Sequence, residues 1–127
     1  VLLVPATAYA VLSKSRTVAA NTITAATLQP PASTSAVCGL GSVTVSWPAA
    51  AHADGYFVYR SQSGGPQNVL LNGGNRVTGT SYVDSGNFSA LASYTYKVKS
   101  ARATNWISSS FSPVSPTRSM TLFLVCL

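Results

Sequence analysis

The chain has 127 residues, enough for one domain with its own hydrophobic core. Hydrophobic residues make up 46% of it but charged residues only 8%, and the many Ser, Thr, Val, Ala and Gly residues favour strands and turns over helices. The net charge of +6 comes from eight Lys and Arg against two Asp, and these cations are scattered singly along the sequence. Because a nucleic-acid-binding protein normally clusters its cations on one element, we expect no nucleic-acid partner.

Residues 1–10, VLLVPATAYA, have the pattern of the truncated end of a secretory signal peptide. A short apolar run precedes Ala8-Tyr9-Ala10, which matches an A-x-A cleavage site, and the run is too short to cross a bilayer. The alternative is that Val1–Val4 form an extra edge strand. If the segment is a signal, the protein is exported to a compartment in which disulfides form.

Residues 11–30 alternate only weakly and contain few large apolar side chains, which indicates an extended leader or linker. Pro30-Pro31 favours polyproline geometry at its end, so Gln29–Ala36 is either linker or first edge strand. We place the folded domain at residues 31–127.

The central stretch of the domain is Ser42–Arg60, which predicts two strands joined by a loop. In SVTVSW, three apolar residues alternate with Thr and Ser, the period of a strand with one buried face. Pro48 ends that strand because it has no N–H to donate. Asp54-Gly55 is a turn pair, and the following GYFVYR is the most β-prone run of the chain.

Short β-prone runs continue with turn residues between them: VLL at 69–71, TSYVD at 80–84 and SYTYKVKS at 93–100. Residues 105–110 are predicted to form a polar loop. Residues 111–127 supply one or two last strands, interrupted by Pro113 and Pro116. The pattern predicts an all-β, seven-stranded antiparallel sandwich.

The order of Trp47, GYFVYR, Leu91 and YTYKV resembles that of a fibronectin type III domain over about residues 31–118. The resemblance implies an immunoglobulin-like sandwich, with Tyr94 as a corner tyrosine that bonds back to nearby backbone. Together with the leader, it also resembles secreted bacterial surface proteins. The tail SMTLFLVCL extends past the usual end of the family, as a further strand, a truncated membrane anchor or an irregular terminus.

In the family's topology the start of the second strand and the end of the last lie at the same pole. This implies a disulfide between Cys38 and Cys126, the chain's two cysteines. The alternative is two free thiols. With one His and no C-x-x-C motif, the cysteines do not form a usual zinc site.

No catalytic constellation stands out, so we expect neither an enzyme nor a cofactor. His52 and Asp54 lie in a predicted turn without a nucleophile, and Asp84 is expected to end a strand and accept backbone N–H groups of the next turn. The glycine-rich stretches lack the lysine and helix of a phosphate-binding loop.

A candidate binding face follows from the alternation of the two longest strands. If Tyr56 and Val58 point inward, outward-pointing aromatic and basic residues lie side by side and could bind a sugar or a protein. The alternative is ordinary cross-strand packing on a solvated surface. The face consists of Phe57, Tyr59, Lys97 and Lys99 on the two strands, together with Trp106 in the adjacent loop.

The sequence therefore predicts an exported, monomeric, non-catalytic module, secreted or on a bacterial cell surface, without a stable membrane span. It would act as a spacer or bind a cell-wall polymer, a glycan or another surface protein. The alternatives are a carbohydrate-binding module and an accessory segment of a larger secreted hydrolase.

Overall fold

A computed structural model describes residues 26–127. These residues form eight β-strands and one 3-10 turn, Asn72–Gly74. The strands are β1 Ser35–Gly39, β2 Ser42–Ser46, β3 Gly55–Gln62, β4 Val69–Leu70, β5 Ser81–Asp84, β6 Ser93–Arg102, β7 Trp106–Ile107 and β8 Arg118–Ser119. The predicted signal-peptide end at 1–10 and residues 11–25 of the predicted leader lie outside the described residues.

The strands form two antiparallel sheets. The smaller sheet has the order β1-β2-β5, and the larger has the order β4-β3-β6-β7, with β8 also paired to β6. Since β7 and β8 pair with the same strand on the side away from β3, eight strand segments occupy seven positions. The predicted antiparallel β-sandwich is confirmed.

The core lies between the two sheets and is built by period-two alternation. Val43, Val45 and Trp47 point inward from β2 and the residue after it, as the sequence pattern predicts. Tyr56 of β3 contacts Trp47 edge to face, with ring centroids 5.4 Å apart. Tyr94, Tyr96 and Val98 of β6 complete the centre and are fully buried. Leu28, which precedes the predicted domain start, is also buried.

The last part of the chain differs most from the prediction. The predicted loop at 105–110 is wrong for Trp106–Ile107, which form β7 and pair with Arg102 and Ala101. Between β7 and β8 the chain follows β6 without forming a regular ladder, because Pro113 and Pro116 have no N–H group to donate.

Serine side chains replace the missing ladder. Three residues of β6 each donate their backbone N–H to a serine Oγ and accept the backbone N–H of the same serine, at 2.8–3.1 Å. The pairs are Tyr96 with Ser115, Val98 with Ser112, and Ser100 with Ser108. The hydroxyl takes the place of a strand carbonyl, so no backbone group of these β6 residues is left unpaired on that edge. We call these contacts the serine clips.

After β8 the tail turns back on itself in a hairpin that is held by backbone bonds and one isolated bridge, with no further regular strand after Ser119. Ser119 and Leu127 exchange two backbone hydrogen bonds of 3.2 and 2.9 Å, and Met120 bridges Cys126. A disulfide joins Cys38 of β1 to Cys126, with Cα atoms 5.3 Å apart. The hairpin is thereby fixed to an edge strand of the smaller sheet.

A buried polar network connects the two sheets near the hairpin. The Asp84 carboxylate of β5 accepts hydrogen bonds from Arg60 Nη1 and from the Tyr96 hydroxyl, both at 2.9 Å. Burial, and secondarily the Asp84 charge, raises the pKa of Tyr96 far above its usual value.

Tyr94 accepts the Ser89 N–H at 2.7 Å, as the resemblance implied for a corner tyrosine.

Candidate functional site

The outer face of the larger sheet carries two aromatic–lysine pairs in adjacent rows. Phe57 of β3 lies opposite Lys99 of β6, and Tyr59 lies opposite Lys97. Their neighbours Tyr56, Val58 and Val98 are buried, so alternation turns these four side chains outward, where all four are partly exposed. The structure thus brings together four of the five residues in the predicted binding face. We call this surface the lysine face.

Phe111, which the sequence did not single out, is at the centre of the lysine face. Its ring contacts Tyr59 edge to face at 5.0 Å, and the Nζ atoms of Lys97 and Lys99 lie 5.2 and 4.6 Å from its centroid. This geometry is that of cation–π contacts. Phe111 precedes Ser112, whose side chain bonds inward to β6, so alternation along this segment turns Phe111 outward.

Trp106, the fifth residue of the predicted face, lies elsewhere. It pairs with Arg102, which has the same parity along β6 as the inward-pointing Val98. Strand alternation therefore places Trp106 on the opposite side of the sheet from Lys97 and Lys99, at the end of the sandwich. The structure does not join it to the other four residues.

A polar recess continues the lysine face toward the start of β6. The row after Tyr59–Lys97 is Ser61–Thr95, and both of these residues line a recess of about 200 Å³. Hydroxyl and amide groups supply the rest of its wall, from Gln62, Ser63, Gln67, Ser93 and Thr117. Such groups can donate to and accept from the hydroxyls of a polar ligand.

The lysine face is electropositive because the acids of the chain are engaged elsewhere. The chain has two acidic residues, of which Asp84 pairs with Arg60 and Asp54 with Arg76. In the part of the chain that the structure describes, Lys97 and Lys99 therefore have no carboxylate within salt-bridge distance. Lys97 Nζ donates a hydrogen bond to Asn68 Oδ1 at 3.5 Å.

The His52–Asp54 segment serves the fold. Asp54 accepts the Ala103 N–H at 2.8 Å and Arg76 Nη1 at 2.6 Å, which fastens the loop before β3 to the turn after β6. His52 contributes its carbonyl oxygen to Arg102 at 2.8 Å. Neither side chain faces a nucleophile in these contacts.

Over 26–127, no group of three or more His, Cys, Asp or Glu side chains is placed to hold a metal ion. Within the same range, no helix is long and apolar enough to cross a membrane.

Comparison with solved structures identifies a similar fold. The chain is similar to the crystal structure of an Fn3-like protein from Clostridium thermocellum, with 26% sequence identity and a TM-score of 0.51. The match covers 72% of this chain and 90% of that protein. No family model and no curated protein matches the sequence. The chain has an Fn3-like β-sandwich fold, which is usually that of a non-catalytic module.

Proposed function

We propose that this chain is an exported, non-catalytic module that binds an anionic glycan of a bacterial surface through the lysine face. The observation that carries the proposal is the adjacency, on one sheet surface, of two ammonium groups without a carboxylate partner among the described residues, a cluster of aromatic rings and a polar recess. Support for export comes from the Cys38–Cys126 disulfide, since such bonds persist in oxidising compartments.

The chemistry of the lysine face favours a sugar polymer over other ligands. Lys97 and Lys99 lie on successive outward positions of one strand, a spacing of about 7 Å that suits repeated carboxylates or phosphates along a chain. Tyr59 is a partly exposed aromatic residue, and the hydroxyls of the recess suit sugar hydroxyls. The surface is shallow, which fits an extended polymer better than an enclosed small molecule.

The test is titration of the protein with polygalacturonate, and with a neutral glucan as the comparison ligand, followed by calorimetry or amide chemical shifts. We expect binding of the anionic polymer that weakens with salt, because exposed charges are screened. Lys97→Gln combined with Lys99→Gln should abolish it, and Tyr59→Ala should weaken it. Arg102→Gln, which removes a cation at the end of the sandwich, serves as the charge control.

Each lysine is therefore also replaced singly, and a loss of binding in Arg102→Gln equal to that in Lys97→Gln or Lys99→Gln alone would mean that only net charge matters, which would contradict a specific lysine face. Absence of binding to any anionic polymer would leave a spacer role as the better account. Trp106→Ala, tested in parallel, decides whether that residue acts together with the other four.

A further inference from the structure

One end of the sandwich exposes apolar side chains from three separate segments. These are the turn between β1 and β2, the loop between β5 and β6, and the hairpin after β8. We call this part the hairpin end. The exposed large apolar residues there are Leu40, Leu91, Leu122, Phe123, Leu124, Val125 and Leu127. Leu40 is fully exposed and Phe123 is 85% exposed, which is uncommon for such side chains in a folded domain.

The three segments are fixed to one another. The Cys38–Cys126 disulfide joins the hairpin to β1, two residues before Leu40. The N–H of Met120 donates to the carbonyl of Ala92 at 2.8 Å, directly after Leu91. Because these links hold the segments against the same end of the sandwich, their leucines form one surface rather than isolated exposed residues.

The hairpin carries little that would oppose entry into an apolar medium. Residues 119–127 contain no charged side chain. Its turn is bonded internally: Thr121 N–H donates to Val125 O at 2.9 Å, Leu124 N–H to Thr121 O at 3.0 Å, and Val125 N–H to Thr121 Oγ1 at 3.1 Å. Backbone groups already paired within a turn cost less to remove from water than free ones.

The acid nearest this surface is also engaged. Asp84, the last residue of β5, is buried and paired with Arg60, so it does not present a free negative charge to a partner. The chain as a whole carries a net charge of +6. An anionic lipid surface would therefore attract the protein, and the side chains of the hairpin turn present no negative charge to it.

We propose that the hairpin end inserts into the interfacial layer of a lipid bilayer that contains anionic headgroups. Leu122 and Phe123 at the turn enter first, and Leu40 and Leu91 follow at the rim. A hairpin turn reaches only the headgroup and upper acyl region, so the contact is peripheral. The lysine face lies along the sheet rather than at this end, so the two proposals stand or fall separately.

The experiment is flotation of the 127-residue protein with phosphatidylcholine vesicles, with and without phosphatidylglycerol. We expect binding that increases with phosphatidylglycerol. Leu122→Ser combined with Phe123→Ser should weaken partition at least roughly tenfold, since two large apolar side chains no longer transfer. Ile107→Ser combined with Val114→Ser, two exposed apolar residues outside the hairpin end, is the matched control and should bind as the wild type does.

A second measurement reports the location of the turn directly. Because Trp47 and Trp106 also fluoresce, Phe123→Trp is compared with the wild type. The variant should show an additional blue shift with vesicles and additional quenching by lipids brominated on the acyl chains. Vesicle binding that the Leu122→Ser, Phe123→Ser variant retains would overturn the proposal, as would absence of binding. Concentration-dependent dimers that this variant abolishes, without vesicle binding, would assign the surface to a second copy instead.

Discussion

The two ends of the sandwich each hold one of the chain's two acidic residues, in opposite surroundings. At the hairpin end, Asp84 is 5% exposed at its side chain and bonds Arg60 and Tyr96 between the sheets. At the other end, Asp54 is 52% exposed and pairs with Arg76 on the surface. An aspartate can therefore connect two sheets in the interior or link two loops at the surface. Which of these it does depends on where the fold places it.

The difference extends to what each end presents to solvent. The Asp54 end is closed by polar contacts among loops, including that of Arg102 with the His52 carbonyl. The hairpin end is closed covalently by the disulfide, while its outer surface is apolar. The covalent crosslink and the exposed apolar side chains therefore lie at the same end of the sandwich.

The largest expected effect is the difference in stability cost between breaking the buried ion pair and breaking the exposed one. Asp84→Asn leaves the Arg60 charge without its partner in a largely buried site, so we expect a loss of about 3–5 kcal/mol in the free energy of unfolding. Asp54→Asn, the matched control at the exposed pair, should cost no more than about 1 kcal/mol. Urea denaturation measures both. Equal costs would show that burial does not distinguish the two ends.

Loss of the disulfide should be the next largest effect. The bond closes a loop of 88 residues, and Cys38→Ala combined with Cys126→Ala should lower the free energy of unfolding by about 2–4 kcal/mol. Backbone amides of residues 119–127 should then exchange faster in hydrogen-exchange measurements, while those near Asp54 keep their protection. Uniformly faster exchange would mean that the bond stabilises the whole domain and not the hairpin end in particular.

The serine clips can be used to test whether the larger sheet is equally stable toward its two ends. Ser115 and Ser108 make the same contact to β6, one toward each end, and removal of either hydroxyl leaves a buried β6 N–H unpaired. Ser115→Ala and Ser108→Ala should therefore each cost about 1–3 kcal/mol. The exposed Ser110→Ala is the control, with no expected change in a thermal melt. Unequal losses in the free energy of unfolding would show that the sheet, and not only the loops, differs in stability between the two ends.

The sheets could be predicted from sequence because burial on one face imposes a period of two, which Val43, Val45 and the tyrosines of β6 satisfy. The lysine face followed from the same period. The side on which Trp106 lies cannot be predicted from its place in a loop next to the face, because alternation does not carry across a turn: Ala103 adopts a φ of 48°, and the chain reverses there before β7. After such a reversal, the side of the sheet on which a residue lies depends on which residues pair across the two strands. That pairing cannot be read from the local sequence.

The clips and the ion-pair partners could not be predicted either. Asp84 ends a strand as expected, but its contact to the next turn, Gly86 N–H at 3.5 Å, is weaker than its bonds to Arg60 and Tyr96 from the other sheet. Nothing in a local pattern indicates that a serine hydroxyl will act as a strand carbonyl. Both features depend on which segments the topology brings together.

The smallest expected effect is a loss of stability at alkaline pH, caused by Tyr96 in the buried network with Asp84 and Arg60. The pKa of Tyr96 is raised in the folded state, mainly by burial and then by Asp84, so the folded protein keeps a proton that the unfolded chain releases above its ordinary pKa of about 10. Stability is therefore retained below pH 10 and falls above it, by at most about 1.4 kcal/mol per pH unit from this group. Urea unfolding at successive pH values from 9 upward measures the slope, and Tyr96→Phe, although less stable at neutral pH, should show a shallower decline. If the free energy of unfolding declines with pH as steeply in Tyr96→Phe as in the wild type, groups other than Tyr96 cause the loss of stability at alkaline pH.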